Sequence, residues 1–538
     1  VTQHRSVLSL PVLFALCGAL IVAPATFAQA SSGTTRTTAT PDPYEQRIDA
    51  HTTVKVLPNG LTLVISERHE APVFSFYTMV NAGSANDPQG ESGLAHMFEH
   101  IAFKGTTEIG TTDYAAEKIA LAKVETAYAG YDDAYRRSQR QEKIDPAKLA
   151  ELHKTFEDAV AAAQKFVIPN QFSKIAEANG AVGLNASTAE DSTQYFWSMP
   201  SNRLELWAYL ESSRIGWPVA REFYKERDVV NEERRMRIDS SPQGRLVEEF
   251  LAAAYMAHHY GVPGVGWESD ITQVSATEAE AFHKKYYVPG NIVVAVVGDI
   301  DTKTALPMLE KYFGRIPAGA KPEPMVTVEP PQRAERTVVL HEPTQPMYLE
   351  GYHRPDYRSP DDAVYAAITD IFSDGRTSRL YRALVRDQRI ALAAEGFSGF
   401  PGVKYPGLFA FYAVPMSGHT AAEMGPAIHK ELDRMKTEDV SDAELERFKA
   451  RARAGLLESL GDNETLASEL ADYQTRYGDW HEIFRELQQI DAVTKADIRR
   501  VAQKTFVDSN RTVARIEFKP PAGPPPPPPA TAGNGGAK

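Results

Sequence analysis

Gly93-Leu94-Ala95-His96-Met97-Phe98-Glu99-His100 is the stretch on which the reading of this chain turns. His96 and His100 are four residues apart, so on an α-helix they share one face about a turn from each other. Two imidazoles so placed can grip one metal ion. Glu99 leans towards the same face, where it can take a proton from a metal-bound water. The order H-x-x-E-H is a metal-hydrolase signature, the reverse of H-E-x-x-H. A short match of this kind also arises by chance, and paired histidines on a helix often only fill surface or core.

Upstream, Pro58-Asn59-Gly60 between the apolar runs of Val54 to Ile65 predicts a hairpin, and Phe74 to Val80 a strand. The Gly83–Gly93 loop then delivers the chain to the His96 helix. Downstream, Leu121, Val124, Tyr128, Tyr131 and Tyr135 recur at steps of three and four, as do Leu149, Leu152, Phe156, Val160, Ala163 and Val167. Asp145-Pro146 between the two runs reads as an N-cap followed by proline at the first helical position, which predicts a helical hairpin over 114–168. Strand character returns around Asn185-Ala186-Ser187-Thr188. Helices are expected over Leu204–Ile215 and Glu222–Ile238. In the latter, Glu226 and Glu233 share a face, although so charged a run is commonly just a solvated helix. His258-His259 reads as a structural turn, Ile292 to Val297 as a strand, and Pro-rich Ala318 to Gln332 as a linker.

The chain has 538 residues, more than one core accommodates, with ordinary globular values of 43% hydrophobic and 24% charged residues. A net charge of −13 argues against nucleic-acid binding. His4 and Arg5, the apolar Leu8 to Ala23, and Ala28-Gln29-Ala30 read together as a secretory signal over 1–30. An uncleaved anchor is the weaker reading, since the apolar run is short and holds Pro11 and Gly18. No later segment reads as a membrane span. The single cysteine, Cys17, falls inside the signal, so the mature chain is expected to have no disulfide and no thiol ligand. An exported protein, periplasmic in a Gram-negative source, is the expectation.

An internal repeat sets the architecture. Val274–Val297 and Val493–Ile516 superimpose without a gap, each a capped helix, an aromatic (Tyr287, Phe506), an Asn turn (Asn291, Asn510) and a strand. A looser match sets His96 to Ile101 against Ala366-Ala367-Ile368-Thr369-Asp370-Ile371, in which both histidines and the glutamate are gone. The expected fold is α+β, an α/β sandwich of two homologous halves. The divisions are a signal at 1–30, a flexible lead-in at 31–50, a first half at 51–317 carrying the 114–168 insertion, a linker at 318–332, a second half at 333–519, and a Pro/Gly-rich tail at 520–538 expected to be disordered.

From Thr53 to Lys519 the chain resembles the inverzincin metallopeptidases, the group of pitrilysin, insulin-degrading enzyme and the mitochondrial processing peptidase. The likeness rests on Ser92 to His100, Lys104-Gly105-Thr106, Leu184 to Thr188, and Glu226-Arg227-Asp228-Val229-Val230-Asn231-Glu232-Glu233. The resemblance implies that each half is a mostly antiparallel sheet flanked by helices, and that the halves close like a clam around a chamber. It implies one Zn2+ per chain on His96, His100 and Glu233, Glu226 supporting them, and Glu99 as general base of a zinc endopeptidase. Glu232 would point about 100° away round the helix. The gap from His100 to Glu233 is longer than the family usually shows, and the helical insertion accounts for the excess. Substrate peptide is implied to add as a strand, with Asn185 and Ala186 facing it.

One departure matters. The family's second half supplies an Arg and a Tyr seven residues apart; Arg386 fits the Arg, but the Tyr position falls on Ala393. The expectation is therefore a heterodimer with a homologous subunit that brings the pair, a homodimer being the other possibility. The competing function is a peptide-binding scaffold that does not cut; a scaffold has no need of Glu99. The donor set suits zinc, with manganese or cobalt as substitutes.

Overall fold

The computed structural model describes residues 43–520, so the signal expected at 1–30 and all but the first residue of the tail lie outside the described residues. Two sheets organise the chain. The first contains β1 (Thr52–Val56), β2 (Thr62–Glu67), β3 (Val73–Val80), β4 (Val182–Thr188), β5 (Thr193–Pro200) and β6 (Ile292–Gly298), in the order β1-β2-β6-β3-β5-β4. The second contains β7 (Arg336–Glu342), β8 (Met347–His353), β9 (Ala391–Phe400), β10 (Leu408–Pro415) and β11 (Arg511–Phe518), in the order β7-β11-β8-β10-β9. Only β2–β6 and β7–β11 are parallel pairs; the rest are antiparallel. Each strand of the second sheet thus has a counterpart in the first, β9 matching β4 and β10 matching β5, with β1 as an addition. The architecture is mixed α+β in two halves.

Each half lends a helix to the other. β6 is buried along its whole length, which its unbroken Ile-Val-Val-Ala-Val-Val run requires. Its Ile292, Val294 and Val296 face the first core. Val293, Ala295 and Val297 pack against Leu466, Leu470 and Trp480 of the second half. Reciprocally, Leu246, Phe250 and Leu251 of helix Pro242–Ala254 cover Leu349, Leu408 and Ile516 of the second sheet. Burying one such valine contributes roughly 1.5–3 kcal/mol, so the exchanged helices weld the halves together.

The helical hairpin forms over Tyr114–Gln139 and Pro146–Gln164, with Asp145 accepting from Ala147 N at its second N-cap. Tyr128 and Phe156 are buried in its seam. The expected lead-in departs from its reading where it is described. Pro43–Asp49 is helical, because Ile48 packs on the Trp480 cluster and Asp49 pairs with His481. Among the described residues no helix is long and apolar enough to cross a membrane.

Candidate metal centre

The start of the His96 helix is fixed by two features. Gly93 has a left-handed φ of 88°, and a Cβ there would lie 2.5 Å from the Val265 carbonyl oxygen, so only glycine fits. The buried Asp87 carboxylate accepts from the N–H groups of Gly93 (2.7 Å) and Ala95 (2.8 Å), satisfying donors that a first turn leaves free. Helix Leu94–Ile101 then buries Leu94, Met97, Phe98 and Ile101 in the first core. His96, Glu99 and His100 are left on the face towards helix Phe223–Arg234.

That second helix is anchored by buried Arg234, which donates to Glu248 and to the Gly266 carbonyl, both at 2.8 Å. The helix expected to run to Ile238 instead widens into a π-helical turn over Arg235–Asp239, with Ser240 N bonded to Arg235 O.

Glu233 projects between the two histidines. Its Oε1 is 3.6 Å from His96 Nε2 and its Oε2 is 3.5 Å from His100 Nε2. One donor atom from each of the three lies within 4.8 Å of the others. Tetrahedral donors at 2.0–2.1 Å from a zinc ion stand ~3.3 Å apart, so this trio fits the ion with little movement and leaves a fourth position open. Glu232, one residue away, points outward and pairs with Arg235.

Around the trio, Glu226 Oε2 lies 3.4 Å from His100 Nδ1 while its Oε1 meets Lys104 Nζ at 2.6 Å. Arg237, on the π-turn, places Nη1 2.6 Å from Glu233 Oε1. Glu99 Oε2 accepts from the Thr188 hydroxyl at 2.7 Å, which leaves Oε1 for a substrate or water. The His96 Nδ1 atom is buried without a hydrogen-bond partner, so that ring is held by packing. Thr188 and Lys104 belong to stretches that carry the family resemblance, but neither they nor Arg237 had a chemical role in the sequence reading. A lone hydroxyl or cation has no spacing signal, and only the fold brings these three to the centre.

Electrostatics follow from burial and from the two carboxylates. Burial lowers the pKa of His96 and keeps it neutral, as a metal ligand must be. Burial also opposes a charge on His100, but Glu226 and Glu233 outweigh it and raise that pKa. Burial acts to raise Glu233 too, and is outweighed by His100, His96 and Arg237, which hold it ionised. Glu99 is pushed above the ordinary carboxylate range by burial, against the pull of Thr188 and His100.

The residues expected at the substrate are placed separately. β4 is an edge strand, so Asn185 and Ala186 lie on an open sheet margin. Asn185 Oδ1 takes the Ala186 N–H at 2.9 Å, and Val182 is 70% exposed. Arg386 sits on a π-helical turn, Tyr381–Asp387, with its guanidinium on the Asp387 carboxylate at 2.6 and 3.0 Å. No hydrogen bond or ion pair joins it to the His96 cluster among the described residues. Ala393 lies on β9.

Two such halves, one of them with an H-x-x-E-H helix facing a glutamate, are the arrangement that the resemblance to metallopeptidases implied. A family model described as insulinase, peptidase family M16, matches residues 63–134, and one described as the peptidase M16 inactive domain matches residues 273–452. The chain is 27% identical over 471 residues to the zinc protease PqqE of Helicobacter pylori, covering 86% of this chain and 91% of that protein. It is 23% identical to the mitochondrial-processing peptidase subunit beta of Saccharomyces cerevisiae, over 82% of this chain and 86% of that one. The crystal structure of a protease from Helicobacter pylori superimposes with a TM-score of 0.72 at 26% identity, covering 87% of this chain and 99% of the other. The chain belongs to the M16 peptidase family.

Proposed function

We propose that the chain is a zinc-dependent endopeptidase acting on peptides or unfolded polypeptide segments. The observation that carries this reading is the convergence of His96, His100 and Glu233 within 4.8 Å, with the Glu99 carboxylate alongside. His96 and His100 would bind the ion through Nε2 and Glu233 through a carboxylate oxygen. When bound there, zinc supplies Lewis-acid polarisation of the scissile carbonyl and lowers the pKa of a bound water.

The chain's own residues do the rest. Glu226 accepts from His100 Nδ1–H, which fixes the ring and leaves Nε2 as the donor. Lys104 neutralises the other Glu226 oxygen. Glu99 takes the proton of the attacking water at Oε1 and passes it to the leaving amine, with Oε2 tethered by Thr188. Burial raises its pKa above the ordinary carboxylate range, which makes it a stronger proton acceptor than an exposed glutamate. The open margin of β4 receives the substrate backbone as an added strand, with Asn185 and Ala186 opposite it.

The second half has Ala393 where the family's tyrosine stands, so the reading includes a homologous partner chain that supplies the Arg/Tyr pair; Arg386 remains the candidate for the Arg of this chain. The yeast relative is by its name one subunit of a larger enzyme, which supports a paired arrangement, with a homodimer as the other possibility. Export to the periplasm rests on the 1–30 reading alone.

The test is peptide cleavage by the wild type and Glu99→Gln, with and without a chelator, alone and with a homologous chain. Turnover that is lost in Glu99→Gln while zinc stays bound supports the reading. Cleavage by Glu99→Gln at the wild-type rate removes it, and peptide binding without cleavage under every condition favours the scaffold.

A further inference from the structure

The short turn between β4 and β5, residues 189–192, lies between the proposed base and the second half. On its inner side, Ser84 N donates to the Ala189 carbonyl and Ala85 N to the Glu190 carbonyl, both at 3.0 Å. A Cβ on Gly83 would lie 2.0 Å from Ala189 O, so the contact is as close as a backbone allows. On its outer side, Asp191 is gripped from both halves. Its Oδ1 accepts from the Tyr260 hydroxyl at 2.6 Å, and its Oδ2 accepts from Val403 N at 2.8 Å and Lys404 N at 2.9 Å.

Residues 401–407 are the connection between β9 and β10, so they are the second half's counterpart of the turn they touch. The two equivalent hairpin ends meet, and the fit is tight. A Cβ on Gly402 would lie 2.5 Å from the Tyr260 hydroxyl oxygen and 2.7 Å from Asp191 Oδ2. Tyr405 N donates to the same Tyr260 hydroxyl at 3.2 Å. Lys404 reaches past the turn and donates from Nζ to Asn81 Oδ1 at 2.6 Å, just beyond the end of β3. No carboxylate pairs with that amine among the described residues, so its charge is spent on holding two amide oxygens of the first half.

Thr188, the last residue of β4, directly precedes this turn and holds Glu99. We infer that the 401–407 connection is a clasp from the second half, with Asp191 and Lys404 as positioning residues that keep the edge strand β4 and the Thr188–Glu99 contact in place. This rests on the reading of Glu99 as the base. It gives the half that lacks the histidines a task in the reaction: a strand with one free margin is held at its far end by the other half of the same chain.

The experiment compares full-length wild type, Asp191→Asn and Lys404→Met by amide hydrogen exchange, zinc content and steady-state cleavage of an unfolded peptide. Release of the clasp is expected to speed exchange in 182–188 by ~10-fold or more while 292–298 in the sheet centre is unchanged. It is also expected to raise KM and lower kcat by ~10-fold to 100-fold with one zinc retained. Exchange in 182–188 equal to wild type in the folded variants overturns the inference, as does equal loosening of 182–188 and 292–298. Should Asp191→Asn not fold, Lys404→Met carries the same two outcomes, since it removes only the amine's two contacts with Asn81. The exchange readout needs no turnover. A wild type that cuts nothing but loosens at β4 in the variants ends the endopeptidase reading and leaves the clasp standing.

Discussion

The two halves place the same pair of helices face to face and put opposite chemistry between them. In the first, His96 and His100 on Leu94–Ile101 look across at Glu226 and Glu233 on Phe223–Arg234. In the second, helix Asp362–Ser373 faces helix Asp442–Ser459, and Asp370 stands where His100 stands. The ungapped register of the repeat, extended back along the chain, sets Leu445 and Ala452 against Glu226 and Glu233. Arg451 then bonds Asp370 at 3.2 and 3.3 Å and meets Asp374 at 2.7 Å, while Arg379 takes both oxygens of Glu444. A guanidinium does in one half what a dication is proposed to do in the other. The difference sets a built-in cation, Arg451, against a site that could take its cation from solution on His96, His100 and Glu233.

The largest effect expected from that contrast is on turnover. Glu99→Gln should lower kcat by ~10³-fold, within the usual range for a general base, with zinc content unchanged. Thr369→Val, at the counterpart position, should leave kcat within error of wild type. Next is Glu226→Gln, which weakens the support of His100 and should reduce zinc affinity by ~10-fold to 100-fold in a competition titration. Smaller again, Arg451→Met should cost about 1 kcal/mol in thermal or urea unfolding, as expected of a part-exposed ion pair, and leave zinc stoichiometry untouched.

The smallest effect is pH-dependent. Burial opposes the charge on Glu444, yet Arg379 and the Ser441 N–H and hydroxyl outweigh it and bring its pKa from 4.5 to about 2. A carboxylate whose pKa falls on folding stabilises the protein above its ordinary pKa, and that contribution is lost as pH drops. Glu444→Gln should therefore be less stable than wild type at neutral pH, by less than about 1 kcal/mol because the glutamine keeps a hydrogen bond to Arg379 or Ser441 N. The gap should close as the pH falls from 4.5 towards 2.

How much of this was legible in the sequence varies with how local each feature is. His96, Glu99 and His100 could be read from spacing, because one helical turn brings them together. The Asp145-Pro146 cap and the two aromatic runs marked the helical hairpin for the same reason. The β6 and β11 strands showed as matching runs because the duplication preserved them. Glu233 entered through family resemblance alone, since no local rule joins it to His100 across the hairpin insertion. Thr188 and Lys104 fell in stretches that carry the family likeness but had no chemical role in it, and Arg237 had no mark at all; tertiary placement gives each its meaning. The lead-in was misjudged at 43–49, where composition suggested a flexible chain and the Trp480 surface supplied the packing that made a helix. The exchange of helices between the halves was equally hidden, because each amphipathic helix reads the same whichever sheet it covers.

The most direct test of the account is zinc titration of metal-stripped protein by calorimetry, comparing wild type with Glu233→Ala and Glu232→Ala. Neighbouring glutamates on one helix separate the centre from the solvated face. One zinc per chain in wild type and Glu232→Ala, with tight binding gone in Glu233→Ala, is the predicted result. Tight binding that survives in Glu233→Ala, or is lost in Glu232→Ala, would contradict it.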